Sequence, residues 1–272
     1  MMTMEDTTLA PDEPVRSAEF VQSLERGLAV IRAFDARRPS LTLSEVAKET
    51  GLSRAAARRF LLTLVELGYV GTDGREFALR PRVLELGHAY LSSLSLPEIA
   101  EPHIKRLATE VGESTSVAVL DGQDIVYVGR YATYRIMSAS IRVGTRFPAF
   151  ATSMGRAILG SLPDAEREAF LATVELPELT PHTVRDVGAL RAELARVPEQ
   201  GYALVDQELE EGLRSIAAPL RDASGAVVAA VNVSAPVRRG DVAEILADIL
   251  PALKRAASDI EADLERTGVR VR

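Results

Sequence analysis

The chain has 272 residues, a formal net charge of −7 and a hydrophobic fraction of 47%, enough for two domains of ordinary size with real cores. No apolar run approaches a membrane span, and Met1 to Glu19 is polar and acidic, without the apolar heart of a signal peptide. Cysteine is absent and histidine occurs three times, which excludes disulfides and thiolate metal sites, so no metal and no cofactor is expected.

The charge is unevenly divided. Phe20 to Arg82 holds 11 Lys/Arg against 7 Asp/Glu, a balance of +4. The stretch before it has 1 against 5, and Val83 to Arg272 has 20 against 27. A basic segment in an acidic chain is expected where one domain touches phosphates and the other does not. The excess is modest, so tight binding calls for more than one copy per site.

In chain order, residues 1–19 read as a disordered tail. Leu24, Leu28, Ile31 and Phe34 recur at helical spacing and predict an amphipathic helix. Leu43 to Phe60 then predicts two short helices joined by a tight turn. Thr42 and Glu45 form a T-x-x-E capping box at the first, whose inward face carries Val46 and Ala47. Gly51 supplies the left-handed exit. Ser53 caps the second helix, which turns Ala57, Phe60, Leu61 and Leu64 inward and Arg54, Arg58 and Arg59 outward. Arg54 and Arg58 lie one turn apart and project together, as on a recognition helix that sets its N-terminal residues against bases in the major groove. After Leu67, alternation around Asp73-Gly74 predicts a β-hairpin, and a hairpin in that place is a wing. The residues expected at the DNA are Thr42, Ser53, Arg54, Ala55, Arg58 and Arg59, with Arg75 from the wing.

Arg80-Pro81-Arg82 ends the wing, and a helix from Val83 to Leu94 is expected to link the domains. Its apolar face suits either a neighbouring copy or its own core. The second domain opens with a helix from Pro97 to Val111, closed by Gly112. Extended runs follow at Ser116–Leu120, Ile125–Val128 and Ile136–Ile141. Helices are predicted over Thr152–Leu162, Asp164–Val174 and Asp186–Val197, then strands at Gly201–Val205, Leu213–Leu220 and Ala226–Ser234. A last helix covers Asp241–Arg266, with Pro251 in or near a kink. Hairpin-linked strands imply an antiparallel sheet with helices on its faces. The expected organisation is a 1–19 tail, a 20–81 winged helix-turn-helix domain, an 82–96 linker helix and a 97–267 α+β domain.

From Ile125 to Pro163 there are five arginines (Arg130, Arg135, Arg142, Arg146, Arg156) and no Asp or Glu, where average usage would place about five or six acids. Such a stretch inside an acidic domain points to an anion site, because arginine pairs with carboxylates in a bidentate fork. Ala151-Thr152-Ser153-Met154-Gly155 then opens a helix, where free amides and hydroxyls favour a carboxylate, and Phe147 and Phe150 flank it as walls for a ring. The alternative is that the arginines pair with acids elsewhere and Thr152 and Ser153 merely cap the helix. An enzyme reading of Ala151-x-Ser153-x-Gly155 as a nucleophile elbow fails. No glycine-rich oxyanion loop precedes it, Pro148 interrupts the approach, and His182 is too near in sequence for the triad order. His88 and His103 fall on predicted helices as surface residues.

The opening helix SLERGLAVI, the reader LTLSEVAKETGLSRAAARRFLLTLVELGYV and the pair GYALVDQELEEGLRSIAAPL and AAVNVSAP resemble the IclR family of bacterial transcription regulators over about Ser23 to Arg266. The resemblance implies a GAF-like second domain that senses a small metabolite, and dimers or tetramers on operator DNA. LSRAAARRFLLTL and VGTRFPAFATSMGRAIL are most similar to the subgroup that governs aromatic-acid catabolism through the β-ketoadipate pathway, with protocatechuate, 4-hydroxybenzoate or β-ketoadipate as effectors. It also implies effector contacts from Ser215, Asn232 and Ser234, with Val205 opposite where some relatives carry an acid. Asp206 is expected to point to the other side of its strand. The expected effector residues are thus Arg142, Arg146, Phe147, Phe150, Thr152, Ser153, Met154 and Gly155, joined by Ser215, Asn232 and Ser234. Ala55 and Ala56 replace hydroxyl residues common in the family. Alanine touches a thymine methyl but donates no hydrogen bond, which leaves the polar contacts to the arginines. The partners expected are double-stranded DNA, a small organic anion and further copies of the chain, in the cytoplasm and without a membrane. A DNA-binding protein with no ligand is the remaining alternative.

Overall fold

The computed structural model describes residues 17, 19–87, 96–133 and 141–267, and the chain divides into two units, Met1–Ala89 and Tyr90–Arg272.

In the first unit α1 (Gln22–Arg32), α2 (Leu43–Thr50) and α3 (Arg54–Glu66) surround one small core. The capping box forms as the sequence implies. Thr42 Oγ1 accepts from the Glu45 amide, and the Glu45 carboxylate accepts from the Thr42 amide at 2.7 Å. Those donors hold the Glu45 carboxyl below its ordinary pKa, the Thr42 amide contributing most. Gly51 leaves α2 at φ +65° and Ser53 Oγ caps α3 through the Ala56 amide. Val46, Ala57, Leu61 and Leu64 fill the core. The first helix differs from expectation, because Leu24 and Leu28 are 63% and 45% exposed and Val30, Ala33 and Phe34 are the buried side chains. Ile31 packs against the same core, so the predicted stripe meets the core at Ile31 and Phe34 and not at Leu24 and Leu28.

The wing is β2 (Val70–Thr72) and β3 (Glu76–Leu79), joined through Asp73-Gly74-Arg75. Asp73 Oδ1 accepts from the Arg75 and Glu76 amides, and Gly74 takes φ +95°, which costs glycine least. A third strand unforeseen from sequence, β1 (Ser40–Thr42), pairs with β3. At three residues it is too short for alternation to show. The predicted 83–94 helix begins with helical backbone at 84–87, and its remainder lies outside the described residues.

The second unit is an antiparallel six-stranded sheet between two layers of helices. Its strands are β4 (Ser114–Asp121), β5 (Asp124–Tyr131), β6 (Arg146–Pro148), β7 (Ala203–Asp206), β8 (Leu213–Arg221) and β9 (Val227–Pro236), in the order β6-β5-β4-β9-β8-β7. Side chains alternate across it. Val117, Ile216, Val231 and Val233 face a core with α4 (Leu96–Val111), α8 (Val242–Asp248) and α9 (Leu250–Thr267). Ala118, Tyr127, Ala217 and Ala230 face the opposite core with α5 (Ser153–Ser161), α6 (Asp164–Thr173) and α7 (Val187–Gln200). Small residues on that second face let α5 lie close to the sheet. Gly160 lets it lie close to α7, where a Cβ would meet Val197 Cβ at 2.6 Å.

Other expectations change. The last helix is two helices, broken at Ile249, with Pro251 in the first turn of α9 where its missing N–H costs nothing. His103 is buried rather than on the surface, its Nε2 2.9 Å from Asp263 Oδ2 between α4 and α9. Strand β6 was not foreseen, and the extended run at 136–141 lies outside the described residues except for Ile141, which is not in a strand.

Candidate functional site

The first unit carries a concave groove. The start of α2 forms one side with Thr42 and Ser44, α3 gives Arg54, Arg58 and Leu62, and the wing gives Thr72 and Arg75. Arg54, Ala55, Arg58, Arg59 and Arg75 are exposed, and none of the four guanidiniums has a carboxylate partner among the described residues. Of the unit's other arginines, Arg38 is bound to Glu49 and Asp35, and Arg82 lies over the Tyr69 ring and donates to Leu67 O. Arg54 and Arg58 on α3 and Arg75 of the wing thus meet at the groove as exposed cations. The hydroxyls of Thr42 and Ser53 are engaged in capping. Ser44 and Thr72 join the groove without having been foreseen, since their only sequence signal is proximity to a cap and a turn.

In the second unit a small pocket lies where the start of α5 meets the sheet. Its polar lining is Thr152, Ser153, Ser215, Asn232 and Ser234, and its apolar lining is Tyr127, Met154, Val205, Leu209 and Leu213. Val205, Ser215 and Ser234 are cross-strand partners in one row, so they share a face. Asp206 turns to the other face, where it pairs with Arg214 at 2.9 Å. Ser153 Oγ and Ser215 Oγ share a short hydrogen bond. Asn232 Nδ2 donates to Ser234 Oγ at 3.1 Å and to Ser215 Oγ at 3.4 Å, while its buried Oδ1 has no partner. Thr152 Oγ1 caps the helix by accepting from the Gly155 amide, which leaves the Ser153 and Met154 amides ahead of the first intrahelical bond. Tyr127, Leu209 and Leu213, missed in the sequence, arrive from β5, the β7–β8 connection and the start of β8. Burial pushes the Tyr127 hydroxyl up to about 12.

Five expected residues lie away from this lining. Arg146 is an exposed residue of β6 bound to Asp121 and Asp124, acids that stand just before the acid-free stretch and return through the β4–β5 hairpin. Those partners, Asp121 first, hold its pKa above the ordinary value. Arg142 is exposed on the loop before β6. Phe147 packs edge-on to Tyr127, 5.9 Å between ring centroids, and Phe150 is core at 2% exposure. Gly155 is needed for space, since a Cβ there would come within 2.1 Å of Ala149 O. Arg156 is buried and forms a bidentate pair with Glu208, Nη1–Oε1 2.7 Å and Nη2–Oε2 2.6 Å. Among the described residues the side-chain partner of Ser153 Oγ is the Ser215 hydroxyl, which is not a base.

A winged helix-turn-helix with exposed arginines on its third helix, in one chain with an α+β unit that holds a polar pocket, has the organisation of a DNA-binding regulator. Residues 23–74 match the IclR helix-turn-helix domain and residues 88–262 the bacterial transcriptional regulator IclR C-terminal domain. The chain is 45% identical to the Pca regulon regulatory protein of Pseudomonas putida, over 89% of this chain and 84% of that one. It is 34% identical to the p-hydroxybenzoate hydroxylase transcriptional activator of Acinetobacter baylyi, over 91% and 93%. The crystal structure of an IclR homolog from Microbacterium hydrocarbonoxydans, complexed with 4-hydroxybenzoate, matches with a TM-score of 0.77 at 31% identity, over 89% and 98%. The chain belongs to the IclR family of transcriptional regulators, and it is a DNA-binding regulator rather than an enzyme. Among the described residues no helix is long and apolar enough to cross a membrane.

Proposed function

We propose that the protein controls genes of aromatic-acid catabolism, reading its operator with α3 and the wing and sensing a small organic acid in the α5 pocket. The observation that carries the sensing half is the convergence of Ser153, Ser215, Asn232 and Ser234 beside two open helix amides. A carboxylate accepts from hydroxyls, amide N–H groups and a helix N-terminus alike, and the aligned peptide dipoles favour its charge there. Tyr127, Met154 and Val205 supply apolar walls for a ring or chain. The reading is supported by relatives named for the Pca regulon and for p-hydroxybenzoate hydroxylase, and by the 4-hydroxybenzoate complex.

Protocatechuate, 4-hydroxybenzoate and β-ketoadipate are the acids to test by thermal shift. The true effector at 100 times its dissociation constant stabilises by about 2.7 kcal/mol. Ser215→Leu, which fills the pocket, is expected to remove that shift and leave operator binding without ligand near wild type. A full shift in this variant places the effector elsewhere.

The +4 balance of the reader implies that two or more copies act together on a symmetric or repeated operator. Light scattering is expected to give a dimer or tetramer, and a monomer both on and off DNA would contradict this.

A further inference from the structure

Gly71 is the middle residue of β2 in the wing, a poor place for glycine unless something lies close against the strand. Arg80 lies there. A Cβ on Gly71 would come within 2.9 Å of Arg80 Nε and 3.6 Å of its Cγ and Nη2, so the side chain runs across the Gly71 backbone. The Arg80 amide donates to Tyr69 O at 2.8 Å, which fixes the root of that side chain beside β2. Pro81 restricts Arg80 to extended backbone, and its ψ is 159°. Arg80 is exposed, and no carboxylate pairs with it among the described residues.

Strand register shows which way this seat faces. Leu41, Val70, Phe77 and Leu79 turn toward the core of the unit. Ser40, Ala78 and Gly71 are cross-strand partners in one row and lie on the other face. None of the three is larger than serine, so that face is flat where Arg80 crosses it. Glu76 shares the face and accepts from the Ser40 hydroxyl at 2.7 Å. The groove with Arg54, Arg58 and Arg75 lies on the opposite side of the hairpin, where Thr72 and Phe77 line it. A DNA minor groove is about 6 Å wide and has phosphates along both walls. A hairpin that approaches it therefore meets phosphates on each of its faces.

Resting on the reading of the first unit as an operator reader, we propose that Arg80 is a second phosphate-binding arm, positioned by Gly71, on the flank of the wing turned away from α3. A guanidinium fork suits phosphate oxygens, and one already seated loses less freedom on binding. Such a contact adds affinity without sequence preference.

Fluorescence anisotropy of the full chain on a mixed-sequence duplex of about 40 base pairs, between about 50 and 200 mM salt, tests this. Arg80→Ala is expected to reduce the slope of log K against log salt by about 0.9 per bound chain, the signature of one lost phosphate contact. That slope amounts to a loss of about fifteenfold at 50 mM and about fourfold at 200 mM salt. Arg80→Lys keeps the charge and most of the slope. Gly71→Ala displaces the Arg80 side chain alone, so it should show part of the loss and keep the wild-type unfolding midpoint. Added to Arg80→Ala, it should cost nothing further. Additive losses overturn the Gly71 seat. An unchanged slope in Arg80→Ala overturns the phosphate contact and leaves the face to an acidic protein or to no partner. If Arg54→Ala with Arg58→Ala abolishes operator recognition while Arg80→Ala binds as wild type does, the reader stands and the second arm falls. If the wild type binds no duplex in a salt-dependent way, both fall.

Discussion

Arg156→Met is expected to destabilise the second unit by about 3–5 kcal/mol, because it leaves the Glu208 carboxylate buried and unpaired. Arg156 and Glu208 side chains are 3% and 9% exposed. Arg156 Nε also donates to Phe150 O, and Glu208 Oε2 accepts from the Val184 amide. The pair thus ties α5 to the β7–β8 connection, where Gln207 holds φ +62° and the Thr180 and Thr183 hydroxyls donate to the Gln207 and Glu208 carbonyls. Leu209, next in the chain, lines the pocket, so loosening this anchor should also weaken the effector response. Urea unfolding of the full chain measures the loss. Adding Glu208→Leu to Arg156→Met should recover much of it, since an apolar pair needs no counter-charge. A single variant within about 1 kcal/mol of wild type would mean that water reaches the pair and screens it.

Arg54→Ala combined with Arg58→Ala should remove measurable operator recognition at physiological salt. Each arginine that reads a base edge contributes about 1–3 kcal/mol, and both guanidiniums stand free at the groove between α3 and the wing. Arg59→Ala serves as the internal comparison, as Arg59 lies on α3 but outside the groove lining. Its loss is expected to fall equally on operator and random DNA, the behaviour of a phosphate contact. Gel-shift titrations on both DNAs decide. Equal losses on the two DNAs for the Arg54/Arg58 variant would reduce these residues to phosphate contacts, and no loss at all would remove α3 from the major groove.

The reader was legible because its signals are local. Thr42 with Glu45, Gly51, Ser53 and Asp73-Gly74 each act within four residues of themselves, so chain order alone carries them, and the arginine face follows from helical period. The stripe Leu24, Leu28, Ile31 and Phe34 meets the core only at Ile31 and Phe34, because how far along a helix the core reaches is set by tertiary packing and not by helical period.

In the second unit the sequence by itself determined most of the elements (though not β6 or the break at Ile249), the start of α5 with its Thr152 cap, and an unusual arginine-rich, acid-free stretch. It also placed Thr152, Ser153 and Met154 at what became the pocket, and likeness to the family added Ser215, Asn232 and Ser234. Only the tertiary structure decided what each arginine does. Arg146 meets Asp121 and Asp124 through a hairpin, and Arg156 meets Glu208 from 52 residues away. Among the described residues Arg130 meets no acid, and strand register sets it beside Ser116, on one face with Asn232. Charge pairing acts through space over a few ångströms, and a residue count cannot say which acids the sheet will bring within that distance.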